Sequence, residues 1–186
     1  MSAPANSITM NAQEFLIWEE SQQEKHEFLQ GDVFAMGGAR REHVVTCLNI
    51  ASSLKQHLRN TPCRAYMSDM KLQIELLDAY YYPDVMVSCQ KSDHQADQFL
   101  TQPSLIIEIL SDSTEAYDRG DKFAAYRQIE SLKEYMLIDI KHKRVECFNR
   151  TENNDWLLHD YSNEPSCNLS SLELNIPLSE IFEDIE

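Results

Sequence analysis

The segment Leu105-Ile106-Ile107 is an unbroken apolar run, the pattern of a strand covered on both of its faces. A strand of that kind belongs in the middle of a sheet, with a packed layer on each side. This run ends on a carboxylate, Glu108, and a second carboxylate, Asp84, stands before another apolar run in Tyr82-Pro83-Asp84-Val85-Met86-Val87. An unpaired charge among apolar neighbours is costly unless a cation or hydrogen bonds compensate it. Two such carboxylates brought together suggest a divalent metal site, and Lys122 in Asp118-Arg119-Gly120-Asp121-Lys122 is the third position that decides the reading.

The length of 186 residues fits one domain, 1–186, and 42% apolar residues with no long polar tract supply a packed core. The start, Met1-Ser2-Ala3-Pro4-Ala5-Asn6, lacks a basic segment followed by an apolar one. No stretch approaches the roughly 18 apolar residues that span a membrane, so a cytoplasmic protein without membrane contact is expected. Cys47, Cys63, Cys89, Cys147 and Cys167 are odd in number and widely spaced, with no Cys-x-x-Cys pair, and are expected to be buried free thiols. Sixteen basic against 31 acidic residues give a net charge of −15, which opposes extended non-specific contact with phosphate backbones. A nucleic-acid partner has to be met by a local basic patch and bound cations.

Along the chain, Ala12 to Gln23 predicts an amphipathic helix, and His26 to Leu29 with Asp32 to Met36 a hairpin turning at Gln30-Gly31. From Arg41 to Arg59 the residues Val44, Cys47, Leu48, Ala51, Leu54 and Leu58 recur at three- and four-residue intervals and predict a helix buried on that face. Cys63 to Met67, Lys71 to Leu77 and Tyr81 to Cys89 read as three strands of a meander, and Gln90 to Gln102 as a loop. Ser113 or Thr114 caps a helix reaching about Ile129, Glu134 to Ile140 is a further strand, and the tail ends in a short helix after Pro177. Helices and strands that alternate in this way predict an α/β (α+β) three-layer domain.

Phosphodiester hydrolysis requires neutralisation of developing charge and a source of hydroxide near neutral pH, and Mg²⁺ held by carboxylates supplies both. Two like charges about 4 Å apart repel by roughly 4 kcal/mol at an effective dielectric near 20, so an Asp84 and Glu108 pair keeps a proton or recruits a cation. Lys122 lies four residues after Asp118 and four before Tyr126, on one face of the expected helix. It is either a fixed point charge directed at the transition state or half of an ordinary surface ion pair with Asp118.

The ordered set of motifs resembles the Uma-type group of restriction-endonuclease-like proteins within the PD-(D/E)XK nuclease superfamily. It comprises the hairpin His26 to Met36, then His43 and Asn49, Tyr81 to Val87, Glu108-Ile109-Leu110-Ser111 with Ser113-Thr114, Asp118 to Tyr126, and Glu134 to Asp139. The resemblance implies a restriction-endonuclease-like core, a central mixed sheet flanked by helices with an N-terminal helix and hairpin. It implies Asp84 and Glu108 as metal ligands for Mg²⁺ or Mn²⁺, with the backbone carbonyl of Ile109 as a further ligand. The superfamily's usual lysine two residues after the second carboxylate is Leu110 here, and the resemblance implies that Lys122 on the next helix takes its place. Glu27 matches the family's hairpin glutamate and either completes the acidic site or faces solvent. His43 is either a proton shuttle or a polar residue near a helix start. Asp118 joins the candidate site, and Arg40, Arg41 and Arg119 are the residues placed to meet phosphates if they converge.

The expectation is therefore a Mg²⁺- or Mn²⁺-dependent endonuclease acting on DNA, with Lys122→Ala abolishing cleavage while leaving folding intact. The competing expectation is a nuclease fold without catalysis that acts as a protein-binding or assembly module. A homodimer matches the two-fold symmetry of duplex DNA.

Overall fold

A computed structural model describes residues 9–186, so the opening segment Met1 to Asn6, on which part of the cytoplasmic expectation rests, lies outside the described residues. Helix α1 (Ala12–Glu19) and the hairpin β1 (His26–Leu29) and β2 (Asp32–Ala35) precede the long helix α2 (Arg41–His57). Strands β3 (Arg64–Met67), β4 (Lys71–Ile74), β5 (Ala79–Tyr81) and β6 (Val85–Ser88) lead to a short helix α3 (Lys91–Gln95) and to β7 (Phe99–Leu100) and β8 (Leu105–Leu110). The next helical stretch is α4 (Glu115–Tyr117), a π-helical turn over Asp118–Lys122, and α5 (Phe123–Tyr126). Strands β9 (Glu134–Asp139), β10 (Arg144–Arg150), β11 (Trp156–Asp160), β12 (Ser166–Leu169) and β13 (Leu174–Pro177) are followed by α6 (Leu178–Ile181).

The strands form a six-stranded sheet in the order β11-β10-β9-β8-β6-β3, a five-stranded sheet in the order β2-β1-β5-β4-β7, and the β12-β13 hairpin. In the larger sheet β8 and β9 are parallel while the other neighbours are antiparallel, giving the expected mixed sheet with helices against it. All six residues of β8 are buried. Strand alternation divides them: Leu105, Ile107 and Ile109 pack with α2, α6 and the β12-β13 hairpin, while Ile106 and Leu110 pack with α5 and the smaller sheet. Each such side chain contributes about 1.5–3 kcal/mol by leaving water. Glu108 occupies a position on the second face where the pattern would otherwise place another apolar residue.

Several local expectations are corrected. The three strands after α2 do not form a meander; β4 pairs with β5 in one sheet and β3 pairs with β6 in the other. They make one long hairpin bent at Ser68-Asp69 and Pro83-Asp84, because Pro83 lacks the N–H that would continue the ladder. On α2 the buried residues are Thr46, Cys47, Ile50 and Leu54, with buried Leu58 just past its end, whereas Val44 and Leu48 are 53% and 58% exposed. Those two form a neighbouring four-residue row that points away from the sheet. The stretch expected as a loop contains α3 and β7, tied down by buried Asp93, which accepts hydrogen bonds from Ser88 Oγ (2.6 Å), Thr101 N (3.0 Å) and Gln102 N (3.1 Å). Thr114 makes no side-chain cap to the helical stretch; its hydroxyl instead accepts from Ser111 N at 3.4 Å.

Cys47, Cys147 and Cys167 are buried free thiols, as expected, but Cys63 and Cys89 are joined in a disulfide. The two flank paired strands: Arg64 is registered opposite Ser88, so the residues just outside that pair meet across the ladder. The hairpin turn at Gln30-Gly31 has positive φ at both positions, 49° and 97°, the geometry of a two-residue turn that follows the strand twist. No helix of the described residues is long and apolar enough to cross a membrane.

Candidate active site

The bend in the β3–β6 hairpin fixes Asp84. Its backbone carbonyl accepts from Ser68 N at 3.1 Å, and its Oδ2 accepts from Ile109 N in β8 at 2.8 Å. Asp84 N lies 3.4 Å from Glu108 Oε2, so the entry to β6 and the middle of β8 bring the two carboxylates to one place. From the other side the π-helical turn delivers Lys122. Its Nζ lies 3.0 Å from Glu108 Oε1, 3.2 Å from Glu27 Oε1 and 3.6 Å from Asp118 Oδ1. Tyr126, one turn on, donates its hydroxyl to Glu108 Oε1 at 2.7 Å.

Six residues singled out in the sequence therefore converge: Glu27, His43, Asp84, Glu108, Asp118 and Lys122. Lys122 is not a surface ion-pair partner, since it is only 6% exposed. Burial alone would lower its pKa, but Glu108, Glu27, Asp118 and Asp84 raise it well above the ordinary lysine value, so the ammonium stays charged. Burial raises the Glu108 carboxyl well above its usual range, Lys122 pulls it down, and Asp84 and Asp118 push it up again. Burial likewise raises Asp118 against the pull of Lys122. His43 Nε2 stands 3.2 Å from Asp84 Oδ2; burial lowers its pKa, but that hydrogen bond and the charge of Asp84 outweigh it and the pKa is raised.

The other candidates are placed differently. Ile109 is bound to the site through its N–H. Arg119 is committed to Glu115, at 2.8 Å, and to Glu146 on β10. Arg40 and Arg41 are exposed where α2 begins, with Arg41 3.8 Å from Glu42.

Two sets could hold an ion. His43, Cys47 and Asp84 each place one ligand atom within 4.8 Å of the others. Burial pushes the Cys47 thiol pKa far up, and Asp84 and Glu108 push it further, which opposes the thiolate that a metal needs. Asp84 and Glu108 offer oxygen instead. Both hydrogen bonds to Asp84 end on Oδ2, leaving Oδ1 without a partner among the described residues, and Lys122 and Tyr126 occupy only the Oε1 of Glu108. An all-oxygen set matches Mg²⁺ or Mn²⁺.

Sequence reasoning missed the support around the cluster. Glu19 on α1 accepts from His26 N (2.9 Å) and from Tyr82 Oη (3.0 Å), and lies 3.0 Å from His26 Nδ1, so α1 and β1 hold the residue next to Pro83. Glu27 Oε1 accepts from Tyr82 N at 3.3 Å. The four-residue spacings from Lys122 to Tyr126 and from His43 to Cys47 were visible; no signal tied Glu19 to Tyr82 across 63 positions.

A family model for Uma2, described as "Putative restriction endonuclease", matches residues 12–179. The uncharacterized protein slr1290 of Synechocystis sp. (strain ATCC 27184 / PCC 6803 / Kazusa) is 35% identical over 176 residues, covering 95% of this chain and 93% of that protein. The uncharacterized protein sll1609 of the same organism is 36% identical over 166 residues, covering 88% and 94%. The fold is similar to the crystal structure of "a putative nuclease belonging to DUF820" from Anabaena variabilis ATCC 29413, with a TM-score of 0.76 and 16% identity over 93% of this chain and 97% of that one.

Proposed function

The chain belongs to the Uma2 family, and from that premise we propose that it is a metal-dependent endonuclease hydrolysing DNA phosphodiester bonds at Asp84, Glu108 and Lys122. The observation that carries this reading is the buried ammonium of Lys122, 3.0 Å from Glu108, supplied by a helix rather than by the strand that carries the carboxylate. Four carboxylates, Glu27, Asp84, Glu108 and Asp118, surround that one ammonium, a surplus of negative charge that suits a divalent cation.

Asp84 and Glu108 would hold Mg²⁺ or Mn²⁺, with the Ile109 carbonyl as a third protein ligand. When bound, the ion supplies charge neutralisation at the phosphate and a water of lowered pKa. The protein's own groups do the rest. Tyr126 and Lys122 fix the Glu108 carboxylate, and the Ile109 N–H fixes Asp84. Lys122 directs its three donors at three carboxylates, and the longest contact, 3.6 Å to Asp118, is the one to exchange for a phosphoryl oxygen or the attacking water. His43 holds its proton more tightly than a free imidazole and sits at the open side of the cluster, suited to protonating a leaving oxygen.

One observation favours a second reading. Lys122 already offers compensation to Glu108, Glu27 and Asp118 without an ion, as a fold serving as a binding or assembly module would require. Calorimetric titration of Mn²⁺ into the wild-type chain and into Glu108→Gln separates the two. The nuclease reading expects saturable binding that the variant loses. Absence of binding to the wild type, with and without a DNA oligonucleotide present, sinks it and leaves the binding module.

A further inference from the structure

The open side of the catalytic cluster is where α2 begins. The side chains of His43 and Asp84 are 21% and 20% exposed, against 7% and 3% for Lys122 and Glu108. Helix α2 runs away from that opening and β3 runs back towards it, ending with Met67 opposite Val85, the neighbour of Asp84. Between the helix and the free edge of β3, the last strand of its sheet, lies a groove of about 460 Å³. Ser52, Lys55, Gln56 and Arg59 line one wall, and Ala65 to Met67 the other.

The helical residues that line the groove, Ala51, Ser52, Lys55, Gln56 and Arg59, lie on two adjacent rows of four-residue spacing that begin outside it. One is His43-Cys47-Ala51-Lys55, continued past the helix end by Arg59; the other is Val44-Leu48-Ser52-Gln56. The first row starts on the imidazole that touches Asp84 and ends on two cations. In a chain of net charge −15, Lys25, Arg41, Arg119, Lys122, Lys141 and Arg144 are each within ion-pair distance of a carboxylate. Lys55 and Arg59 are exposed and belong to the ten basic residues with no such partner among the described residues; they are the two that line this groove. Two cations and no carboxylate among the residues that line the groove, which ends at Met67 beside the Ser68 N–H bound to the Asp84 carbonyl, match a polyanion.

We propose that this groove carries a nucleic-acid strand away from the scissile phosphate, with Lys55 and Arg59 on backbone phosphates and the exposed Val44 and Leu48 against sugars and bases. The proposal deepens, and rests on, the nuclease reading. At 1.5 Å per residue Lys55 stands about 18 Å from His43 along the helix, roughly five nucleotides at 3.4 Å each. Contacts with the groove therefore fall well outside the reacting phosphate and hold the strand without taking part in chemistry.

The test is fluorescence anisotropy of a labelled single-stranded DNA with the full chain in EDTA, which blocks metal-dependent cleavage, over a series of salt concentrations. Lys55→Ala/Arg59→Ala should weaken binding by about tenfold or more and lower the salt slope by about 1.4, two phosphates at ~0.7 each. Lys133→Ala/Lys141→Ala, which removes the same charge from the β9 flank, should stay within about twofold. Circular dichroism checks the fold, and Lys55→Gln/Arg59→Gln repeats the test with polar side chains. Equal weakening by both pairs, no weakening, or no binding of the wild type overturns the proposal. Unchanged DNA binding with a shift in sedimentation would give the groove to a second copy of the chain and overturn it too. A chain that holds DNA through Lys55 and Arg59 but shows no Mn²⁺ site keeps the groove and loses the nuclease reading.

Discussion

Under the proposed function, Lys122 is the residue on which stability and chemistry meet. The sequence led us to expect that Lys122→Ala would remove cleavage and spare the fold, but a lysine buried against Glu27, Glu108 and Asp118 cannot be deleted cleanly. Breaking a buried pair from one side leaves uncompensated charge and typically costs about 3–5 kcal/mol, about a fifth or more of a domain's stability. We therefore expect Lys122→Met to lower the stability from urea denaturation by about 3–5 kcal/mol; a loss below about 1 kcal/mol would mean that the carboxylates have taken up protons instead. Asp84→Asn is the better probe of chemistry. Asp84 has a half-buried side chain, and an asparagine Oδ1 can still accept from Ile109 N, so stability should change by no more than about 1 kcal/mol while Mn²⁺ binding is lost.

Elements set by local pattern were legible from the sequence, and those set by distant partners were not. The β1-β2 hairpin announced itself through Gln30-Gly31, α2 through its spacing, and β8 and β9 through unbroken apolar runs. The bent β3–β6 hairpin was misread because nothing in Lys71 to Ile74 says that its partner lies in a different sheet from that of Arg64 to Met67. The same limit applied at the site: Asp84, Glu108 and Lys122 stood out as charges set against apolar runs, whereas Glu19 and Tyr82 met only through the fold. The Cys63 and Cys89 disulfide was missed because cysteine spacing carries no register. It closes a separation of 26 residues and pins the free edge of the larger sheet. Chain-entropy reasoning gives about 3.5 kcal/mol for a loop of that size. Alkylation of the unreduced, denatured chain should label three of the five cysteines, and reduction should lower Tm by roughly 7–14 °C. Labelling of all five would show that the thiols are free in the purified protein.

At the scale of the whole molecule, a charge of −15 and a buried acidic cluster lead us to expect a stability that depends jointly on pH and, if the proposed metal site holds, on divalent cations. Glu108 supplies the sign. Its pKa in the folded chain lies well above the ordinary value of 4.5. Its contribution is therefore fully present below about pH 4.5 and is lost as pH rises through the folded pKa, because the unfolded chain releases that proton more readily. A bound divalent ion favours the carboxylate and reverses this loss, so its stabilisation should grow with pH over the same window. At one hundred times its dissociation constant an ion contributes about 2.7 kcal/mol, or roughly 5–11 °C in Tm for a chain of this size. Thermal melts at stepped pH, in Mn²⁺ and in EDTA, read this directly. The gap between the two curves should widen from acid towards neutral pH, and Glu108→Gln should flatten it. A gap of equal size in the variant would assign the stabilisation to diffuse screening of the acidic surface rather than to the proposed ion between Asp84 and Glu108.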